Sequence, residues 1–405
     1  MSHAEQEMHP VVSSLTFWQR IMCRWADRIA VGRLTLQFEG YGEHVAIGEK
    51  PGPNAVLCVR GARPALRILT NGTLGFAQSF IEGDLDSPDI GAVLEVALAN
   101  EAQLGRVLAS SSIFMTLARL RHKLRRNSKK GSRRNIAYHY DLGNAFYSLW
   151  LDRTMTYSSA LYSAPSMSLA DAQEAKYARI VEELEIGPDD HVLEIGCGWG
   201  GFAEHAIRKT GCRVTCLTLS TEQAKFARER LEKAGLSDRV DIRLEDYRDC
   251  RGRYDKIVSI EMFEAVGEEN WPVYFKAVQE RLVPGGKAIV QTITIDESRF
   301  DYYRRSADFI QTYIFPGGML PSVTVFERDA VAAGLKVTDT FRFGRDYDRT
   351  LLAWDSAFTA NWKKIEPLGF DRRFYRMWRL YLHYCAVGFR FGRIDVVQFR
   401  LDKPA

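Results

Sequence analysis

A short strand that runs straight into a cluster of glycines constrains the fold of this sequence more than any other feature. Val192–Ile195 forms the strand, and Gly196, Gly198 and Gly200 follow it at alternate positions before a segment with helical patterning. Glycine has no Cβ, so it lets the backbone turn sharply and lets a ligand approach the main chain. The pattern predicts a strand–turn–helix unit with a ligand site at the turn. A tight turn without a ligand is the alternative.

Strands and helices alternate regularly from this turn onward. The apolar runs predict five strands, at residues 191–195, 213–218, 240–244, 254–260 and 287–295. Helical patterns lie between them, at residues 200–209, 221–234 and 270–282. Strands that alternate with helices of about 10–15 residues are typical of a parallel sheet covered by helices on both faces. We therefore expect an α/β fold of the Rossmann-like type.

A strongly basic run divides the chain of 405 residues. Ten Lys or Arg and no Asp or Glu lie between Ala102 and Tyr140, although the net charge of the chain is only +4. The run predicts an N-terminal domain at residues 1–118, a basic linker at 119–135 and a larger domain at 136–405. The linker is either a solvated connection or a patch for an anionic polymer or membrane, where each basic residue contributes ~1 kcal/mol.

Neither a membrane span nor a metal site is expected from the sequence. No window of about 18 residues is continuously apolar and uncharged, and the first residues lack the apolar core of a signal peptide. The seven cysteines are scattered, without a CxxC pair or metal-ligand spacing. This cysteine usage favours a reducing, cytoplasmic compartment.

The position of an acidic residue beside the glycines indicates the class of ligand. A nicotinamide enzyme places an acid about 20 residues after its glycines, but the second strand here ends in Leu217–Ser220, without one. The acid is instead Glu194, inside the first strand, which looks like the first motif of class I methyltransferases that use S-adenosylmethionine (SAM). Asp246 and Tyr247 follow the third strand and resemble the adenine-contacting position, where a carboxylate accepts from the adenine amine and a ring stacks on the base.

Separated motifs then occur in the order found in one enzyme family. They are Tyr138–Asn144, Met155–Ser159, Val192–Gly201, Glu261–Gly267, Tyr313–Gly318, Leu320–Ser322, Asp346–Leu352 and Tyr384–Cys385. With these motifs the sequence resembles the cyclopropane-fatty-acyl-phospholipid synthase family, which includes mycolic acid cyclopropane synthases and fatty-acyl C-methyltransferases. The resemblance covers about residues 130–400 closely and about 60–100 loosely.

The resemblance implies a fold and a reaction. The fold is a class I SAM-methyltransferase domain with an aromatic, helical insertion that forms a lipid tunnel, plus a smaller α+β N-terminal domain that helps to engage lipid. In the family, the cis double bond of an acyl chain on a membrane phospholipid attacks the SAM methyl and becomes a carbocation. A bound bicarbonate then removes a proton, and a cyclopropane ring closes. Aromatic faces can stabilise such a cation, and the candidates are Phe300, Tyr302, Tyr303, Phe309, Tyr313 and Phe315.

The resemblance also implies roles for individual residues. Glu264 matches the acid that holds the bicarbonate, Tyr347 matches its tyrosine partner, and Cys385 matches a cysteine near the site that is not a nucleophile. The implied SAM contacts combine residues of the resemblance with those at the ends of the first three strands. They are Tyr157, Ser158, Glu194, Gly196, Gly198, Thr218, Ser220, Gln223, Asp246 and Tyr247.

Two residues depart from the family pattern. Cyclopropane synthases usually have cysteine where this chain has Ser159, and histidine where it has Gln291, and both positions border the bicarbonate. Serine can still donate, and glutamine can donate but cannot titrate. If the anion does not bind, the cation can instead lose a proton from the chain. The product is then a methyl- or methylene-branched chain rather than a ring.

The expected partners follow from the same resemblance. We expect unsaturated phospholipid acyl chains and an anionic membrane surface, with a cytoplasmic protein held peripherally at the inner face of the membrane. A homodimer is one candidate for the oligomeric state. The Asn/Asp-Pro-Pro-aromatic and Pro-Cys motifs of nucleic-acid base methyltransferases are absent, which counts against nucleic acid. A lipid-binding protein that has lost catalysis and a nicotinamide oxidoreductase are the alternatives from other functional classes.

Overall fold

The computed structural model describes residues 15–108, 142–306 and 308–405. It divides into two compact units: residues 1–117 with 370–387, and residues 118–369 with 388–405. The sequence places all of 136–405 in one domain, whereas in the structure 370–387 group with the first unit. The basic linker at 119–135 lies outside the described residues.

Strands and helices are numbered here in chain order. The strands are β1 Val31–Phe38, β2 Gly42–Ile47, β3 Lys50–Val59, β4 Leu85–Asp86, β5 His191–Ile195, β6 Arg213–Thr218, β7 Val240–Leu244, β8 Tyr254–Ile260, β9 Leu282–Ile295, β10 Lys336–Arg342 and β11 Ile394–Asp402. The α-helices are α1 Phe17–Ala26, α2 Arg63–Glu82, α3 Ile90–Ala99, α4 Glu101–Leu108, α5 Asn144–Tyr147, α6 Leu169–Glu183, α7 Gly201–Thr210, α8 Thr221–Lys233, α9 Trp271–Arg281, α10 Glu297–Tyr303, α11 Val323–Ala332, α12 Gly344–Ala360, α13 Trp362–Ile365 and α14 Arg372–Arg390.

The first unit is an α+β fold around a four-stranded sheet of order β2-β1-β3-β4. Its helix α3 packs against β3. The buried Asn100 links the end of α3 to the start of β1. Its side-chain oxygen accepts from the backbone N–H groups of Ala30 and Val31 at 2.7 and 2.9 Å. The late segment 370–387 is bound by an ion pair in which Arg376 Nη2 lies 2.7 Å from Asp86 Oδ2.

The second unit is built on a seven-stranded sheet of order β10-β11-β9-β8-β5-β6-β7. Neighbouring strands from β9 to β7 run parallel, and β11 runs antiparallel to both β9 and β10. Successive side chains of a strand point to opposite faces, so Val192 and Leu193 enter separate apolar clusters. Each face is therefore covered, and the carboxyl ends of β5, β6 and β8 meet at one edge.

The α/β expectation is confirmed, and four of the predicted strands have the predicted bounds. The fifth differs, because β9 begins at Leu282 rather than Lys287. Tyr254 pairs with Leu282 while Lys256 pairs with Lys287, so the residues between them bulge out of the ladder. Pro284, Gly285 and Gly286 lie in this bulge, and Gly285 has φ 73°.

Among the described residues, no helix has the length and apolar character needed to cross a membrane.

Candidate active site

The glycine turn after β5 forms the floor of a cleft. Gly196 has φ 86° and Gly198 has φ 51°, a left-handed backbone that other residues rarely adopt. A Cβ on Gly196 would lie 2.8 Å from Cγ of Met262, whereas a Cβ on Gly198 would meet open space. Glycine is therefore required at 196 both by conformation and by the close approach of Met262.

The structure brings nine of the ten predicted SAM contacts to this one cleft. Ser220 is the exception, since its hydroxyl caps α8 by accepting from the N–H of Gln223 at 3.2 Å. Thr218 Oγ1 donates to the Gln223 side chain at 3.0 Å, which ties the end of β6 to the same helix. The predicted residues that line the cleft are Tyr157, Ser158, Glu194, Gly196, Gly198, Thr218, Gln223, Asp246 and Tyr247.

Glu194 supplies a buried carboxyl to the cleft. Its side chain accepts a weak hydrogen bond from Cys216 Sγ at 3.5 Å. Burial raises the pKa of Glu194 to about 8, against the smaller opposing effects of Cys216 and Arg230. A buried carboxylate gains most when a cation lies beside it, so this position suits a positively charged ligand such as a sulfonium.

Asp246 is held by an arginine that the sequence analysis did not single out. Arg248 binds both oxygens of Asp246, with Nε to Oδ1 at 2.8 Å and Nη2 to Oδ2 at 2.7 Å. The Arg248 guanidinium also lies 5.5 Å from the centre of the Tyr247 ring. A bidentate pair of this kind fixes the carboxylate geometrically. Arg248 therefore orients the pair of residues predicted to face adenine.

Lys176 of α6 is a buried lysine behind the cleft. Its Nζ donates to Ser158 Oγ at 2.6 Å and to Gln173 Oε1 at 2.7 Å. Burial lowers the pKa of Lys176 to about 7, and the carboxylate of Glu261 is the largest opposing effect. Lysine in an amphipathic helix usually marks a solvated face, so the sequence pattern did not identify this residue.

Three of the four residues predicted to surround a bicarbonate, Ser159, Gln291 and Tyr347, donate hydrogen bonds to the side chain of Glu261. The Ser159 N–H and Gln291 Nε2 both donate to Glu261 Oε1 at 2.8 Å. The Tyr347 hydroxyl donates to Glu261 Oε2 at 2.6 Å. The donors are therefore already engaged by a carboxylate of the chain itself, and this set does not fit a separate bicarbonate.

The amide of Gln291 is oriented by a chain of side chains from two further elements. Its Oε1 accepts from Gln398 Nε2 of β11 at 3.0 Å. Gln398 Oε1 accepts in turn from Arg179 Nη1 of α6 at 2.8 Å. Arginine can only donate, so each amide in the chain has its oxygen turned toward the preceding donor. The Gln291 NH2 group is thereby directed at Glu261.

The peptide that carries Ser159 is anchored to α12, the helix that carries Tyr347. The Ala160 N–H donates to Thr350 Oγ1 at 3.1 Å, and the Tyr162 N–H donates to Asp346 Oδ2 at 3.0 Å. Two of the three donors to Glu261 are therefore positioned by the same helix.

Glu264, the predicted acid, lies close to Glu261 but has different partners. Its Oε1 accepts from the Ile293 N–H at 2.5 Å, and its backbone oxygen accepts from Met319 N–H at 2.8 Å. Burial, followed by the nearby charge of Glu261, raises the pKa of Glu264 to about 8. Two carboxyl groups this close do not both ionise readily.

Aromatic rings surround Tyr157 at the cleft. Trp354 lies 5.1 Å away between ring centres, and Tyr147 and Trp150 each lie 5.5 Å away.

The six aromatic residues predicted to stabilise a cation differ in burial: Phe300 is buried in the core, while Tyr302 is 65% exposed. An exposed ring does not fit the expected apolar tunnel, so Tyr302 is a poor candidate for stabilising a cation.

Cys385 lies on the part of α14 that belongs to the first unit. Its proposed nearness to the site stays a prediction. Among the described residues, no group of three or more His, Cys, Asp or Glu side chains is arranged to hold a metal ion.

The strand order and the carboxylate-lined cleft at the glycine turn define the class of this protein as a SAM-dependent methyltransferase. The chain belongs to the mycolic acid cyclopropane synthetase family, whose sequence profile matches residues 127–399. It is therefore an enzyme that transfers one carbon from SAM to lipid acyl chains, by cyclopropanation or methylation.

Individual relatives cover most of both chains. The tuberculostearic acid methyltransferase of Mycobacterium tuberculosis is 39% identical over 346 residues, which are 83% of this chain and 80% of the relative. The cyclopropane-fatty-acyl-phospholipid synthase of Escherichia coli is 38% identical over 336 residues, covering 82% and 84%. A solved mycolic acid cyclopropane synthase complexed with SAH and CTAB matches with a TM-score of 0.64 at 33% identity, covering 67% of this chain and 98% of that one.

Proposed function

We propose that the carbon acceptor is the cis double bond of an unsaturated acyl chain on a membrane phospholipid. The E. coli relative, whose name specifies a phospholipid product, is 38% identical over most of this chain. An alkene has no proton to lose before it attacks, so the site has only to align it with the methyl of SAM. The new carbon–carbon bond forms as the sulfur–methyl bond breaks, which leaves a carbocation on the acyl chain.

We propose C-methylation without ring closure as the outcome. The observation that carries this choice is the engagement of Ser159, Gln291 and Tyr347 by Glu261, which departs from the bicarbonate site that serves ring closure in the family. Relatives that are 39% and 36% identical are also named as methyltransferases. Loss of a proton from the chain carbon next to the cation then gives a methyl-branched alkene, and a 1,2-hydride shift followed by loss of a proton from the transferred methyl gives a methylene branch. The E. coli relative favours the cyclopropane as the second candidate.

The product distinguishes these candidates directly. The chain is expressed in a host that lacks cyclopropane lipids, with an empty vector as control, and the phospholipid fatty acids are examined by mass spectrometry and proton NMR. We expect acyl chains that gain one CH2 unit and show vinyl or methyl-branch signals. Upfield cyclopropyl signals would support the second candidate. Unchanged acyl chains, together with retained SAM binding, would contradict the proposed transfer and favour a lipid-binding protein.

We further propose that the protein works at the inner face of the membrane, with the basic residues of 119–135 against anionic lipid. The support is the charge of this run in the sequence, and the family's use of acyl chains that reside in membranes. Homodimerisation stays a prediction.

A further inference from the structure

We propose that the carboxylate of Glu261 takes the place of the bicarbonate and accepts the proton that the carbocation loses. This inference rests on the proposed function for the identity of the cation. It assigns to a residue of the chain the step that the family leaves to a bound anion.

The hydrogen bonds to Glu261 have the form of an anion site. A backbone N–H, an amide NH2 and a phenol hydroxyl point at its two oxygens from three segments of the chain that are far apart in sequence. All three groups are donors, as a bound carboxylate requires. Glu261 also lines the same cleft as the predicted SAM contacts, so its carboxylate lies within the site of methyl transfer.

The backbone of Glu261 adopts an unusual conformation that places its side chain there. Its φ is 49°, one of three positive values among the described residues other than glycine. Strained backbone of this kind is found repeatedly at active sites and ligand-binding positions. A second bond, from the Glu261 N–H to the Gln291 carbonyl at 2.8 Å, holds the peptide in this conformation.

The surroundings of Glu261 suit a proton acceptor. Burial raises the pKa of Glu261, while the Tyr347 hydroxyl and the Lys176 ammonium oppose that rise. A carboxylate with a raised pKa accepts a proton more readily than an exposed one, and the ideal base titrates near the working pH. Glu264 lies close by, but its carboxylate binds the backbone of Ile293.

The step balances without a further reactant. The proton leaves a carbon of the acyl cation and binds a Glu261 carboxylate oxygen, which becomes a neutral carboxylic acid. The electron pair of the broken C–H bond forms the C=C bond of the branched product. No oxidant or reductant is needed.

Binding of bicarbonate tests the site without relying on turnover. The full chain is saturated with SAH and titrated with 13C-labelled bicarbonate, followed by carbon NMR. We expect no binding by the native protein and saturable binding by Glu261→Gly, because glycine suits the positive φ and leaves the three donors exposed. Saturable binding by the native protein, or none by Glu261→Gly that still binds SAH, would overturn the proposal.

Turnover tests the proton transfer. In buffer purged of carbon dioxide we expect native activity to equal that with bicarbonate added, and Glu261→Gln to lose at least ~100-fold, the usual contribution of a general base. Glu261→Gly should be inactive in purged buffer and regain activity with bicarbonate. The matched control is Glu269→Gln, an exposed change eight residues away, which should behave as native.

Two turnover results would refute the assignment: a native rate that drops on purging, or a Glu261→Gln rate close to native. If the native protein modifies no acyl chain at all, the proposed function has failed, and the bicarbonate titration alone then decides whether Glu261 fills the anion site.

Discussion

At the scale of the residue, the cleft is lined by several ionisable side chains whose pKa values are shifted by burial. Glu194 lines the cleft directly, and the buried ammonium of Lys176 donates to Ser158, another residue of its lining. Each of these groups has its pKa moved toward neutrality by burial, the carboxyl upward and the ammonium downward. Such shifts cluster where a protein prepares a site for a charged ligand. A sulfonium cation bound beside Glu194 would therefore relieve an electrostatic cost of the ligand-free protein.

This cost predicts a pH dependence of stability. The pKa of Glu194 rises from 4.5 to about 8 on folding, so between these pH values the folded protein holds a proton that the unfolded chain has lost. Its contribution to stability is complete below pH 4.5 and is lost as the pH rises toward 8. We expect the melting temperature of the ligand-free protein to fall less across this range in Glu194→Gln than in the native protein. Equal slopes in the two proteins would contradict the shift.

Some residues of the site can be identified from the sequence, and others cannot because their contacts are distant in sequence. Ser159, Gln291 and Tyr347 were assigned to one anion site, and the structure brings them together. Glu261 stands in a motif quoted for the resemblance, yet its role was not predicted. That role depends on contacts across 102 residues to Ser159 and 86 to Tyr347, which no local pattern reveals. Lys176 and Arg248 were missed for the same reason.

At the scale of the element, the need for glycine in the turn between β5 and α7 has two causes. One is the local sequence pattern, and the other is a contact with a residue distant in sequence. Left-handed backbone at Gly196 follows from the strand–glycine–helix pattern. The close contact of Gly196 with Met262, which lies in the segment after β8, cannot be predicted from that pattern. Strand bounds were predictable because apolar runs between turn residues are local features. The bulge at the start of β9 was not, because it arises from pairing with β8.

The turn allows a substitution with a matched control. Gly196→Ala and Gly235→Ala both place a Cβ on left-handed backbone, which costs about 1–2 kcal/mol. Only the first meets a side chain; a Cβ on Gly235 has nothing within 4 Å. In denaturant unfolding we expect both variants to lose this backbone contribution to the free energy of unfolding. Gly196→Ala should lose more, because its Cβ also meets Met262. Only Gly196→Ala should weaken SAH binding in calorimetry, by about tenfold or more, which is about 1.4 kcal/mol.

Equal SAH affinity in the two glycine variants would show that the turn does not contact the ligand.

At the scale of the whole molecule, the uneven charge of the sequence predicts how the protein meets its substrate. Changing Arg125, Arg126, Lys129 and Lys130 to Gln should weaken binding to anionic vesicles, by up to about 1 kcal/mol per residue, and should reduce its salt dependence. These residues lie outside the described part of the structure. Vesicle co-sedimentation at two salt concentrations measures both effects.

The control for this variant removes the same charge elsewhere. It changes four exposed basic residues of the second unit to Gln: Arg213, Lys225, Lys233 and Arg239. If the basic run is the lipid contact, the control should bind vesicles as the native protein does. Equal losses in both variants would point to net charge alone, and unchanged binding of the first variant would refute the patch.

The position of β11 has a consequence for the synthesis of the protein. This strand, Ile394–Asp402, lies inside the sheet between β9 and β10, so the sheet cannot be completed in the order in which the ribosome releases it. Until residue 402 has emerged, the nascent chain exposes the unpaired margin of β9, a template for pairing with other chains. Slow synthesis of β11 would therefore lengthen the period in which this edge of β9 can pair with other chains.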